Sequence, residues 1–183
     1  HGELVGFSTA TGLVNLVTCC WVEAGRLGGA LRLDGNDDWV RITQASAMLT
    51  GGPFTVSAWA WLDGGCTSDW PEVVSDVRTA GTNYLGHSLG FSSFREAGRV
   101  GDTLWADSVP LTNQWVQVAL EYDGTQMRMY RDGKLTNEAA AVFTASGNAE
   151  FAIGNGQIAG FREFWKGMID DVRVYRSALG TNG

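Results

Sequence analysis

Trp115-Val-Gln-Val-Ala-Leu-Glu-Tyr-Asp-Gly124, followed by Met127-Arg-Met-Tyr-Arg-Asp-Gly-Lys134, decides the fold. Val116, Val118, Leu120 and Tyr122 alternate with Trp115, Gln117, Ala119 and Glu121, the period of two expected of a strand with unlike faces. Asp123-Gly124 and Asp132-Gly133 punctuate the stretch, and Asp-Gly is a strong hairpin signal because glycine takes positive φ without a steric penalty. The reading is strand, turn, strand, turn.

Outward from this hairpin, strand candidates recur at short intervals. They are Gly29–Leu33, Trp39–Ile42, Pro53–Leu62, Glu72–Asp76, Tyr84–Phe91 and Arg99–Trp105 before it. Gln126–Arg131, Glu138–Phe143, Ala149–Ile153 and Met168–Tyr175 complete the series after Trp115–Tyr122. Only Gln44–Leu49 suggests a short turn of helix. Even spacing, with 25 Gly against 3 Pro, predicts an all-β antiparallel two-sheet sandwich of jelly-roll type. No linker, low-complexity tract or repeat interrupts it, so residues 1–183 are expected to form one domain.

The net charge of −7 argues against nucleic acid, against anionic membrane surfaces and against strongly polyanionic glycans. No apolar run of 18 residues is available to span a membrane as a helix. The first residue is His1, with no Met and no signal-like segment, which suggests a processed or excised piece of a larger protein. Cys19, Cys20 and Cys66 leave two readings open. Either one of the adjacent pair bridges to Cys66, implying export, or all three are unpaired.

Four segments, in order, resemble the laminin-G-like branch of the concanavalin A-like lectin/glucanase superfamily. They are Gly28–Val40, Phe54–Trp59, the Trp115–Lys134 hairpin, and Phe151–Gly154 with Gly167–Leu179. The resemblance implies a jelly roll, in modules often attached to secreted glycoside hydrolases, sialidases and adhesins, and hence an extracellular or cell-surface location. It also exposes a departure: His1–Gly6 is similar to the family's second element, so its first strand is missing. A segment or partner chain could supply that strand along an open sheet edge.

The resemblance implies calcium near an Ile-Asp-Asp-Val strand, which carries over to Asp170 and Asp171. Asp34, with Asn36, Asp37 and Asp38, offers further hard oxygens of the kind calcium needs. An EF-hand is excluded, because Trp39 and Ala45 stand where that loop requires Gly and Glu.

Trp59 and Trp61 share a strand face with Thr55 and Ser57, opposite Phe54, Val56, Ala58 and Ala60. If the aliphatic face is core, two rings two residues apart form a platform on which a sugar can stack. Otherwise both rings are packing. Trp70, Trp105 and Trp165, near Asp69, Asp107, Arg162 and Glu163, are further candidates because loops commonly carry recognition.

Catalysis finds little support. The strand motif Glu-x-Asp-x-x-Glu of laminarinase-type jelly rolls is absent, as are nucleophile-elbow, Walker and zinc patterns. Glu121 and Asp123 have the spacing of two, but Asp123 belongs to a turn. A Ser-His-Asp set would have to use His1 or His87. An N-terminal His-Gly is similar to the start of copper-dependent polysaccharide monooxygenases, but the flanking sequence is jelly-roll-like. The expectation is a non-catalytic carbohydrate-binding module with calcium in a structural or bridging role. The alternative is a structural or adhesive module that contacts other proteins, and a glycoside-active enzyme ranks third.

Overall fold

A computed structural model describes residues 2–5 (backbone only), 20–43, 51–147, 150–156 and 163–180. Within them the chain forms β1 (Gly2–Val5), β2 (Trp21–Val22), β3 (Ala30–Asp34), β4 (Trp39–Thr43), β5 (Phe54–Leu62), β6 (Glu72–Ser75), β7 (Arg78–Ala80) and β8 (Asn83–Leu85). It continues with β9 (His87–Ser92), β10 (Arg95–Val100), β11 (Thr103–Pro110), β12 (Trp115–Tyr122), β13 (Gln126–Arg131), β14 (Lys134–Ala140), β15 (Glu150–Ile153) and β16 (Lys166–Tyr175). The expected helical turn at Gln44–Leu49 lies outside the described residues.

Two seven-stranded antiparallel sheets carry the fold. The first runs β1-β4-β15-β6-β9-β10-β11 and the second β14-β13-β12-β5-β16-β3-β2, with β7 and β8 paired apart from both. This is the all-β sandwich that the alternating pattern predicts. Alternation decides which side chains meet between the sheets: Phe54, Val56, Ala58, Ala60 and Leu62 of β5 and Val116, Val118 and Leu120 of β12 face Leu89, Phe91 and Val100 across the core. Gly98 lets the layers approach, since a Cβ there would collide with the Met129 sulfur.

Several boundaries differ from the sequence reading. Tyr84–Phe91 is two strands, broken at Gly86, whose φ is 85°. Arg99–Trp105 contains a hairpin turn at Gly101-Asp102, which joins β10 to β11. Glycine precedes aspartate there, so the Asp-Gly signal does not mark it. Glu138–Phe143 extends only to Ala140 as strand. Cys66 is a free, buried thiol, while Cys20 is disulfide-bonded, which overturns both cysteine readings.

Among the described residues β1 pairs only with β4, at the edge of the first sheet. In β16, Lys166–Ile169 lie between β5 and β3, but among the described residues the stretch after Ile169 pairs only with β5.

Candidate functional site

Each sheet presents an outer face, and the candidate residues divide between them. On the second sheet, Phe54, Val56, Ala58, Ala60 and Leu62 are buried, so Thr55, Ser57, Trp59 and Trp61 point outward. Strand register sets their neighbours. Trp61 lies between Trp115 on β12 and Met168 on β16, and Trp59 between Gln117 and Asp170. Trp115 therefore joins the outward aromatic surface. Arg26 covers part of that surface, its guanidinium 4.6 Å from the centre of a Trp59 ring.

β16 reaches this face by a bulge between Asp170 and Arg173, with Asp171 at φ 51°. Ile169, Val172 and Val174 still pack toward the core, while Asp170 lies opposite Trp59 and Arg173 opposite Ser57. Both acids are already engaged. An Asp170 oxygen accepts the Leu27 N–H at 2.7 Å, and Asp171 accepts Arg173 Nε–H at 2.9 Å.

Asp34 pairs with Lys166, four residues along β16 from Asp170. At the strand rise that places Asp34 about 13 Å from Asp170, so the three acids do not converge on one ion. Asp34 instead groups with Asp37 and Asp38, with one oxygen from each within 4.8 Å of the others. That turn is internally bonded: Asp34 accepts the Asn36 N–H at 2.8 Å and donates its own N–H to Asp38 at 3.0 Å. Burial, together with the neighbouring charges of Asp34 and Asp37, pushes Asp38 up to about 6.

The other tryptophans separate. Trp165 is fully buried, edge-on to Phe91 at 5.3 Å, and so cannot serve as a stacking surface. Trp105 packs inward against the core. Trp70, by contrast, lines a pocket on the outer face of the first sheet, with Glu72, Tyr84, Ser88, Arg99 and Glu163. The pocket encloses about 110 Å³ of space open to water-sized groups.

Its position follows from the strands. Leu89 and Val100 point into the core, so Ser88 on β9 and Arg99 on β10 point away from it, and on β6 a register shift between Glu72 and Val74 lets Val73 and Val74 both pack inward while Glu72 lines the pocket. The loop carrying Trp70 is pinned to the segment before β16, where Ser68 Oγ donates to the Phe164 carbonyl at 2.8 Å. Glu72 N–H donates to the Glu163 carbonyl at 3.0 Å, which holds the two glutamates side by side. Room for their carboxylates comes from two glycines: a Cβ at Gly90 would strike the Glu72 carboxylate, and one at Gly156 would strike that of Glu163. Arg99 stacks on Tyr84 at 3.9 Å.

Both glutamates are buried, with 8% and 4% of their surface exposed. Burial, and then the charge of Glu163, push the Glu72 carboxyl up to about 8, although the Ser88 hydroxyl and Arg99 pull it down. The pocket thus offers two aromatic rings and a mixed set of donors and acceptors. Trp70 and Glu163 were legible as candidates. Glu72, Tyr84, Ser88 and Arg99 were not, because no short-range signal marks the outward side of strands that meet only in the sheet.

Other apparent reactive sets dissolve. Glu121 is bound by Arg128 at 3.1 Å and by the Gly180 N–H at 2.6 Å, and Asp123 accepts the Thr125 and Gln126 N–H groups. His87 is fully buried with Nδ1 2.7 Å from Asp76, and Ser146 Oγ donates to the same aspartate at 3.0 Å. The aspartate stands in the middle of that trio, so the histidine is not positioned to activate the serine.

Residues 34–182 match the family model for the concanavalin A-like lectin/glucanases superfamily, and the chain belongs to that family. Among solved structures it is similar to domain 4 of AbnA, a GH43 extracellular arabinanase from Geobacillus stearothermophilus, in complex with arabinotriose. Identity is 20%, coverage 88% of this chain and 76% of that one, and the TM-score 0.62. It is also similar to the receptor-binding domain of botulinum neurotoxin mosaic serotype C/D (12% identity, 99% and 44% coverage, TM-score 0.67). Trypanosoma rangeli sialidase, in complex with the inhibitor DANA, is a third (15%, 88% and 27%, TM-score 0.64). The chain spans under half of the toxin domain and about a quarter of the sialidase. No curated protein matches the chain.

Proposed function

We propose that this chain is a non-catalytic carbohydrate-binding module, acting outside the cell or at its surface. The observation that carries the reading is the pocket on the first sheet, where Trp70 and Tyr84 stand beside Glu72, Ser88, Arg99 and Glu163. Aromatic faces take the C–H side of a sugar while polar groups around them fix its hydroxyls. The arabinotriose complex of a similar fold supports the same class of ligand. The outward Trp59–Trp61–Trp115 surface is the second candidate contact, although Arg26 already occupies part of it. A single shallow site binds weakly, and several copies or modules would supply avidity.

Calcium is part of the proposal as a structural ion at the Asp34, Asp37 and Asp38 turn, rather than at Asp170 or Asp171. A glycan array probed with the native protein, with Trp70→Ala and with Trp61→Ala, in calcium and in chelator, tests these readings. Binding lost in Trp70→Ala supports the first-sheet pocket, whereas loss only in Trp61→Ala moves the contact to the second sheet. Loss on chelation brings calcium in, and retention in chelator removes it from the binding role. No glycan bound under any condition would sink the carbohydrate reading.

A structural or adhesive role is favoured in that case by one feature: the edge of β16 beyond Ile169 has no described strand beside it on the β3 side. Backbone groups on such an edge can take an added strand.

A further inference from the structure

We propose that the Trp70–Tyr84 pocket takes one uncharged sugar unit, the end of a neutral glycan, and rejects sialic and uronic acids. Glu72 serves it as a hydrogen-bond donor and Glu163 as an acceptor. This rests on the carbohydrate-binding reading above and adds the class of sugar.

Size sets the first limit. A space of about 110 Å³ lies well below the roughly 300–1,000 Å³ of pockets that enclose drug-sized ligands, so one ring enters and the rest of a chain stays outside. Trp70 and Tyr84 supply the flat walls. One face of Tyr84 is already covered by Arg99 at 3.9 Å, which fixes the ring and spends the guanidinium.

Charge sets the second limit. Glu72 and Glu163 are held side by side by the backbone bond at 3.0 Å and are both buried. A carboxyl held beside another and out of water is harder to ionise. The groups facing Glu72 are Glu163 from the segment before β16, the Ser88 hydroxyl from β9 and Arg99 from β10. Burial and Glu163 together outweigh Ser88 and Arg99, and the carboxyl of Glu72 rises to about 8. At neutral pH Glu72 therefore keeps its proton. A protonated carboxyl donates to a sugar oxygen, and the carboxyl oxygens of Glu163 accept from a hydroxyl. A neutral ring satisfies both. An anionic sugar would set its own carboxylate, stripped of water, beside Glu163 in a chain of net charge −7.

Titration calorimetry at pH 7 with the native protein decides the matter. The probes are arabinotriose and neutral glucose and galactose oligosaccharides, against galacturonic acid trimer and sialyllactose. The neutral set is expected to bind and the acidic set to be at least about tenfold weaker. Glu72→Gln, which keeps a donor, should stay within about threefold of native, while Glu72→Ala should lose about tenfold or more. Acidic sugars binding as tightly as neutral ones would overturn the proposal, as would Glu72→Gln falling as far as Glu72→Ala. The selectivity of the native protein needs no variant, so a variant that fails to fold leaves that half of the test intact. Absence of binding by every sugar would instead overturn the carbohydrate reading itself.

Discussion

Glu96 shows how a single residue can work against the fold that contains it. It is fully buried on β10, and neither carboxyl oxygen has a hydrogen-bond partner. Burial pushes its carboxyl up to about 8; Arg131 counters this, and Asp107 and Asp132 reinforce it. An unsatisfied buried polar group costs about 1–3 kcal/mol, and more once it must ionise. Glu96→Met, of similar length and apolar, is expected to raise the melting temperature, and by more at pH 8.5 than at pH 5. A native protein more stable than Glu96→Met at pH 8.5 would mean that the carboxyl finds a partner there. Asp123 is the opposite case. Backbone N–H groups of Gln126 and Thr125 hold its carboxyl below the usual range, and the turn it caps ends the β12 strand.

At the scale of elements, β16 and the segment just before it serve the two candidate faces. Glu163 and Phe164 bond to the Trp70 loop of the first-sheet pocket, while the first residues of β16 pair with β3 and β5 and set Asp170 opposite Trp59. Gly167 makes the pairing with β5 possible. Its φ is 145°, and a Cβ there would strike the Trp61 carbonyl and crowd the indole nitrogen of Trp165. Gly167→Ala is expected to cost more than about 2 kcal/mol, read as a lower urea midpoint. An unchanged midpoint would mean that β5 and β16 shift apart freely. The hairpin of β12 and β13 was legible residue by residue, because its turns and alternation are local. The hairpin of β10 and β11 was not. Its Gly101-Asp102 turn reverses the usual order, so continuous strand from Arg99 to Trp105 was the natural reading.

At the scale of the whole molecule, the buried carboxyls of Glu72 and Glu96 are each raised to about 8. Their unfolded counterparts titrate near 4.5, so between about pH 4.5 and 8 the folded state holds more protons than the unfolded one. Stability therefore falls as pH rises through that window. Below it, carboxyls held under their ordinary value begin to take up protons, and their contribution is lost. For Asp76, burial pushes upward, but His87 and Ser146 outweigh it. In Asp123 the backbone bonds dominate. The urea midpoint is expected to be higher at pH 5 than at pH 8.5. A midpoint rising steadily to pH 8.5 would show that the two glutamates ionise without cost.

The sequence by itself determined the class of fold and the direction of most strand faces, because period-two alternation and Asp-Gly turns act between near neighbours. It identified the outward side of Trp59 and Trp61 once the aliphatic residues between them were assigned to the core. Tertiary structure alone decided which aromatics remain available. Trp165 and Trp70 look alike as loop-borne rings, yet one is sealed against Phe91 and the other borders a pocket. It alone also separated Asp34 from Asp170, and brought Glu72 beside Glu163 through a backbone bond across distant segments. Burial and charge proximity are sums over everything that packs around a group, and no window of sequence contains those neighbours.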